Sequence, residues 1–200
     1  MLNRHLGLGF QVHLAPNVGG DNAVGVVHGQ GLELVVQQAD ASYWPHFKPH
    51  YYLDLPNPIA AHWFIGSVDG EPVCNLAVCP WFHIGGYRAT RLVVLPEWQG
   101  AGVGTKFLNW VCNYHLEGNG RRGKKLSTYF HTSHPQLVGY LKHSPLWAQK
   151  SALLTSHSKK KNAMSLAKSA RKKGGVAVGS GVAVGSGFGG HFRSIQGFKY

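Results

Sequence analysis

The chain has 200 residues, 44 % of them hydrophobic, enough for one domain with a real core and a short appendage. No run approaches the roughly 18 apolar residues of a membrane helix. The start, MLNRHLGLGFQVHLAP, lacks the sustained apolar stretch of a signal peptide. The three cysteines, Cys74, Cys79 and Cys112, are too few for a disulfide framework. They point to a reduced compartment, the cytoplasm of a bacterium or of a phage-infected host. The net charge of +12 is unevenly spread. Residues 1–117 carry five Lys/Arg against eight Asp/Glu (5 − 8 = −3), and residues 118–200 carry fifteen and no acid (+15). Either a polyanion such as DNA, RNA or a phosphorylated cofactor meets that half, or it is a solvated basic surface.

Residues 1–40 are Gly-rich, with Gly31–Val36 reading as a strand. Residues 43–62 combine prolines, aromatics and histidines, as an irregular loop with a short helix. A hairpin follows: Trp63–Val68, the turn Asp69-Gly70, and Pro72–Cys79 returning. After a loop at Pro80–Tyr87, Ala89–Leu95 is another strand, ended by Pro96. The apolar period then changes. Val103, Phe107, Leu108 and Val111 lie on one helical face, predicting a helix over 102–116 that Gly118-Asn-Gly120 stops. Lys125–Phe130 reads as a strand and Pro135–Lys142 as a short helix with proline in its first turn. Residues 148–173 are Ala/Ser/Lys-rich and in part helical by composition, with basic clusters Lys159–Lys161 and Arg171–Lys173. A short direct repeat fills 175–187, and His191–Tyr200 reads as a last strand.

The segment Gln99-Gly-Ala-Gly-Val-Gly104 leaves a strand and opens a helix. A helix N-terminus offers unpaired N–H groups and partial positive charge, and glycine lets a phosphate come close. The Gly-Lys-Ser/Thr ending of a P-loop is absent, and no acidic residue follows at the distance of about 20 residues expected of a dinucleotide fold.

The string Arg91-Leu-Val-Val-Leu-Pro-Glu-Trp-Gln-Gly-Ala-Gly-Val-Gly104 resembles motif A of the GNAT superfamily of N-acetyltransferases, Q/R-x-x-G-x-G/A after the fourth strand, with Gln99, Gly102 and Gly104 at its defining positions. The resemblance spans about residues 60–147. It implies an α/β (α+β) GNAT fold: a mixed, mostly antiparallel sheet flanked by helices and splayed at the acyl-CoA site. By domain, it implies an N-terminal segment with an acceptor-side loop (1–62), a core (63–147), a basic then Gly-rich variable region (148–187) and a closing strand (188–200). It further implies that the cofactor is acetyl-CoA or another acyl-CoA. Backbone of Leu92, Val93 and Val94 would pair with pantetheine. The loop Gln99, Gly100, Ala101, Gly102, Val103 and Gly104, with Thr105 beside it, would hold the pyrophosphate. The string RLVVLP with its glycine loop, then TSHP and SPLW, is also similar to phage acetyltransferase-like proteins and, more loosely, to the Mom-like branch that modifies DNA adenine.

Acyl transfer needs a deprotonated amine and an acid for the leaving thiolate. The resemblance places Tyr140 as that acid; packing in the core is its alternative. Glu97 and His134 compete as base, Ser133 is a bridge to water or substrate, and a water chain without a dedicated base stays open. No metal site is expected. Cys74, Cys79 and His83 lack a paired zinc spacing, and strand alternation puts the two cysteines on opposite faces. The aromatic segment 43–52 is either a lid, with Trp44, His50 and Tyr51 stacking on a base, or a plug packed on the sheet. The leading expectation is an N-acyltransferase whose amine acceptor is a small molecule, a protein or a nucleobase, the last reached through Lys159–Lys161 and Arg171–Lys173. The alternatives are Mom-like chemistry and a non-catalytic nucleic-acid-binding protein on this scaffold.

Overall fold

The computed structural model describes residues 11–13, 24–28, 33–153 and 195–200, and the backbone alone for residues 11–13, 24–28 and 153. The basic clusters at 159–161 and 171–173 and the repeat at 175–187 lie outside these. Two compact units are present. The first comprises the described residues of Met1–Tyr52, Asn57–Phe130 and Lys199–Tyr200, the second those of Leu53–Pro56 and His131–Phe198.

In the first unit the strands run in sequence order across the sheet. They are β1 (Gln11–His13), β2 (Val24–His28), β3 (Glu33–Ala39), β4 (His62–Val68), β5 (Glu71–Trp81), β6 (Gly86–Val94) and the start of β7 (Thr128–Thr132). Neighbours from β1 to β6 are antiparallel, and β6 to β7 is parallel. A parallel pair needs a crossover, and the helix α2 (Val103–Leu116) supplies it.

Strand β5 is buried without a break from Val73 to Val78, the mark of a strand covered on both faces. One cover is the short helix α1 (Trp44–Phe47): Trp44 and Phe47 pack with Trp63, Ile65, Ala77, Val93 and Leu95. The aromatic segment is therefore a plug at Trp44 and Phe47, while His50 is exposed. Tyr51, half-buried, sets its ring edge to Trp44 at 5.4 Å. The other cover is α2, whose Trp110, Tyr114 and His115 stand 6.4, 5.6 and 5.6 Å from the Phe64 ring.

Several boundaries differ from the sequence expectation. The loop expected at Pro80–Tyr87 shrinks to four residues, because β5 continues to Trp81 and β6 begins at Gly86. The strand expected at Lys125–Phe130 starts only at Thr128. Leu126 is tied by its N–H to the His115 carbonyl (3.3 Å), the C-terminal end of α2, rather than to a strand. Strands β1 and β2 in the Gly-rich start have no counterpart among the expected elements.

In the second unit the end of β7 leads to α3 (Pro135–His143), then β8 (Ala148–Leu153) and β9 (Ile195–Lys199), with strand order β7-β9-β8. Residues 148–153 were read as part of a partly helical region and are instead a strand. Gln149 Nε2 donates to Gln196 Oε1 across 2.8 Å. The partner strand lies more than forty residues away in sequence, and strand formation depends on such a partner more than on composition.

Candidate functional site

The site begins with a defect in β6. Arg91 has φ 57, left-handed and unusual for a non-glycine residue. The β5–β6 register runs Asn75↔Val93 and then Ala77↔Thr90, so Arg91 and Leu92 together oppose Leu76. This is a β-bulge. Asn75, fully buried, donates from Nδ2 to the Arg91 carbonyl at 3.3 Å and so holds the bulge from the neighbouring strand. The Arg91 guanidinium is buried over the Tyr51 ring, 5.3 Å from its centroid. On its other edge β6 pairs with β7 only at Tyr87, Arg88 and Ala89. Past Ala89 the register with β7 ends, and Leu92, Val93 and Val94 offer extended backbone able to take a ligand as a strand would.

Beyond Val94 the chain turns sharply. Leu95 N–H donates to Val73 O (3.0 Å), and Pro96–Trp98 forms a 3-10 turn. Gln99 folds its side chain back, Nε2 donating to Val94 O at 2.8 Å. Gly100 (φ 84) and Gly102 (φ 80) are both left-handed, where a side chain is strained. Between them Ala101 is buried and anchors the loop.

Helix α2 then starts with Gly102 as N-cap and no side-chain cap. Its first N–H groups have no intrahelical acceptor. Its first turn holds no acid. Lys106 is one turn in, where a cation is unfavourable unless an anion is nearby. A Cβ at Gly102 would meet nothing within 4 Å, so the space over these amides is open. At Gly104 a Cβ would sit 2.8 Å from Val94 Cγ2, so this glycine sets the approach of helix to strand. Thr105 Oγ1 donates to Gly102 O at 2.9 Å. The structure therefore brings Leu92, Val93, Val94 and Gln99 to Thr105 into one strand-and-cradle arrangement suited to an anion with an extended arm.

The expected catalytic residues are distributed between the units. Glu97 is exposed in the 3-10 turn of the first unit. The other three are in the second unit. His134 is the N-cap of α3, its Nδ1 accepting the Leu137 N–H at 3.5 Å, and its own N–H donates to Thr132 Oγ1 at 3.1 Å. Ser133 and Tyr140 are half-buried, Tyr140 midway along α3. Sequence reasoning missed Asn75, though a lone polar residue in the apolar run Val73–Val78 was a usable signal. Among the described residues no group of three or more His, Cys, Asp or Glu is placed to hold a metal ion.

The structure is similar to the ribosomal-protein-S18-alanine N-acetyltransferase from Escherichia coli, with TM-score 0.52 and 7 % identity over 82 % of this chain and 90 % of that one. It is also similar to the IAA acetyltransferase from Bacillus cereus ATCC 14579, with TM-score 0.51 and 14 % identity over 83 % of this chain and 97 % of that one. The chain has the GNAT fold. No protein-family model matches the sequence. No curated protein is a significant match. At these identities the likeness is one of fold. The bulge in β6 and the uncapped glycine-led helix are this chain's own features within the GNAT frame. Among the described residues no helix is long and apolar enough to cross a membrane.

Proposed function

We propose that the chain is an acyl-CoA-dependent N-acyltransferase, moving an acyl group from acetyl-CoA or another acyl-CoA to an amine. The observation that carries this reading is the open, uncapped N-terminus of α2 beside bulged β6, whose pairing with β7 ends at Ala89. Both proteins named above are acetyltransferases by name, which agrees with it. In this reading the amides from Gly100 to Thr105 bind the pyrophosphate, and the backbone of Leu92, Val93 and Val94 pairs with the pantetheine amides. Bound acyl-CoA supplies the thioester. The amine nitrogen bonds to the acyl carbon as the carbon–sulfur bond breaks; the amine loses a proton and the thiolate gains one. Tyr140 is the acid for the thiolate. With Nδ1 accepting the Leu137 N–H, neutral His134 carries its own proton on Nε2, so as base it takes the amine proton on Nδ1 by giving up that capping bond, with Ser133 as a bridge to water. Glu97 stands beside the pyrophosphate cradle rather than along the pantetheine strand, so the base role falls to His134 or to water.

A nucleobase as acceptor, Mom-like chemistry and a non-catalytic DNA-binding role all draw on the charge of residues 118–200. The glycine cradle speaks for turnover on acyl-CoA over either alternative. The test is calorimetric titration of the purified chain with acetyl-CoA. Saturable binding that Gly102→Glu removes is expected. Binding unchanged in a folded Gly102→Glu protein would sink the assignment of the cradle.

A further inference from the structure

At the opposite end of β6 from the glycine cradle, the first unit carries a ladder of rings and cations. Cys79 pairs with Arg88, and Arg88 with Tyr129, so strand alternation puts Trp81, Arg88 and Tyr129 on one face. The Arg88 guanidinium lies 5.7 Å from the Trp81 ring centroid. Trp81 meets Tyr129 edge-on at 5.4 Å, and Lys199 Nζ stands 5.9 Å from the Tyr129 centroid. Both rings are half-buried and Arg88 is exposed. The aromatic plug of α1 covers this face as far as Ala77 and does not include Trp81. The tip of the β5–β6 hairpin adds Phe82, 80 % exposed, and Ile84.

Charge is unevenly spread along the strands. Arg121, Arg122, Lys124 and Lys125 are all exposed and lie at this same end, on the other face of β6, where Arg121 N–H donates to the Tyr87 hydroxyl at 2.8 Å. Of the six described carboxylates of the first unit, Glu33, Asp69, Glu71 and Glu97 sit at the cradle end. Of the remaining two, Asp40 accepts from Ser42 and Glu117 from Asn113.

From this juxtaposition we infer that the face carrying Trp81, Arg88, Tyr129 and Lys199 binds single-stranded nucleic acid, with bases against the two rings and phosphates on Arg88 and Lys199. Cations interleaved with rings match a phosphodiester strand with unpaired bases, since every base has a face to stack and every linkage a charge to neutralise. A second copy of the chain would set these cations against one another. An acidic protein would use the charges but leave the rings without flat partners. This inference is independent of the acyl-CoA reading.

The experiment uses the full chain and no acyl-CoA. Fluorescence anisotropy follows a labelled mixed-sequence single-stranded DNA of roughly 20 nucleotides. Saturable binding is expected, weakened about tenfold or more in Arg88→Glu/Lys199→Glu. Tyr129→Leu should weaken DNA binding but not binding of heparin, a polyanion without bases. Matching circular dichroism melts establish that the variants fold. Absent binding, affinity unchanged by the charge reversals, or a Tyr129→Leu effect equal for DNA and heparin would overturn the inference. So would tighter binding of polyglutamate, or a concentration-dependent dimer abolished by Phe82→Ser.

Discussion

At the scale of single residues, two kinds of glycine do different work in the cradle. Gly102 needs a positive φ and has open space above it; Gly104 has ordinary helical backbone and no space. Gly102→Ala therefore suffers mainly backbone strain, about 1 kcal/mol. It should keep saturable acetyl-CoA binding in calorimetry where Gly102→Glu, which places a carboxylate over the amides, loses it. Tyr140 makes a separate prediction. If it protonates the thiolate, Tyr140→Phe lowers kcat by roughly 100-fold and leaves acetyl-CoA affinity unchanged. Steady-state kinetics beside calorimetry separate the two, and unaltered turnover would make Tyr140 a packing residue.

At the scale of elements, the bulge in β6 is held by one side chain across the strand pair. Asn75 supplies the donor for the Arg91 carbonyl, inside an otherwise apolar strand. Asn75→Ala leaves that carbonyl buried without this donor, a loss of about 1–3 kcal/mol in urea unfolding. Because the bulge bends the strand proposed to meet pantetheine, the same variant should raise KM for acyl-CoA more than it lowers kcat. The close approach of α2 to β6 at Gly104 and Val94 behaves likewise. Gly104→Val forces the two apart, and overpacking of this kind costs about 1–3 kcal/mol.

At the scale of the whole molecule, stability should depend on pH through His115. This residue is fully buried at the end of α2, its Nδ1 2.8 Å from the Val111 carbonyl, its Nε2 without a hydrogen-bond partner, and its ring 4.3 Å from that of Tyr87. Burial pushes its pKa down to about 4, and neighbouring His62 is lowered for the same reason. Since the folded pKa lies below the unfolded value of 6.5, the unfolded chain binds the proton first as pH falls. The full stability is present above pH 6.5 and is lost progressively down to about pH 4, by an amount on the order of 3 kcal/mol. Thermal melts between pH 7.5 and 4.5 should show the fall, and His115→Gln should flatten it. An equally steep fall in His115→Gln would assign the effect to other groups.

Local chemistry was legible in the sequence wherever a short stretch determines its own conformation. Gln99 to Gly104 declared a strand-to-helix turn because glycine alone takes left-handed φ without strain, and that turn is where it was read. The β4–β5 hairpin and α2 were legible for the same reason, a turn dipeptide in one case and a 3.6-residue period in the other. What needed the tertiary structure was whatever depends on a distant partner. The bulge at Arg91 exists because Asn75, sixteen residues earlier, bonds its carbonyl. The aromatic segment became a plug at Trp44 and Phe47 because an apolar strand face lay open to it, and the strand at Ala148–Leu153 formed because β9 returns beside it. Period and turn chemistry act through neighbours in sequence; bulges, plugs and edge pairings are set by burial and hydrogen bonding between segments the sequence keeps apart.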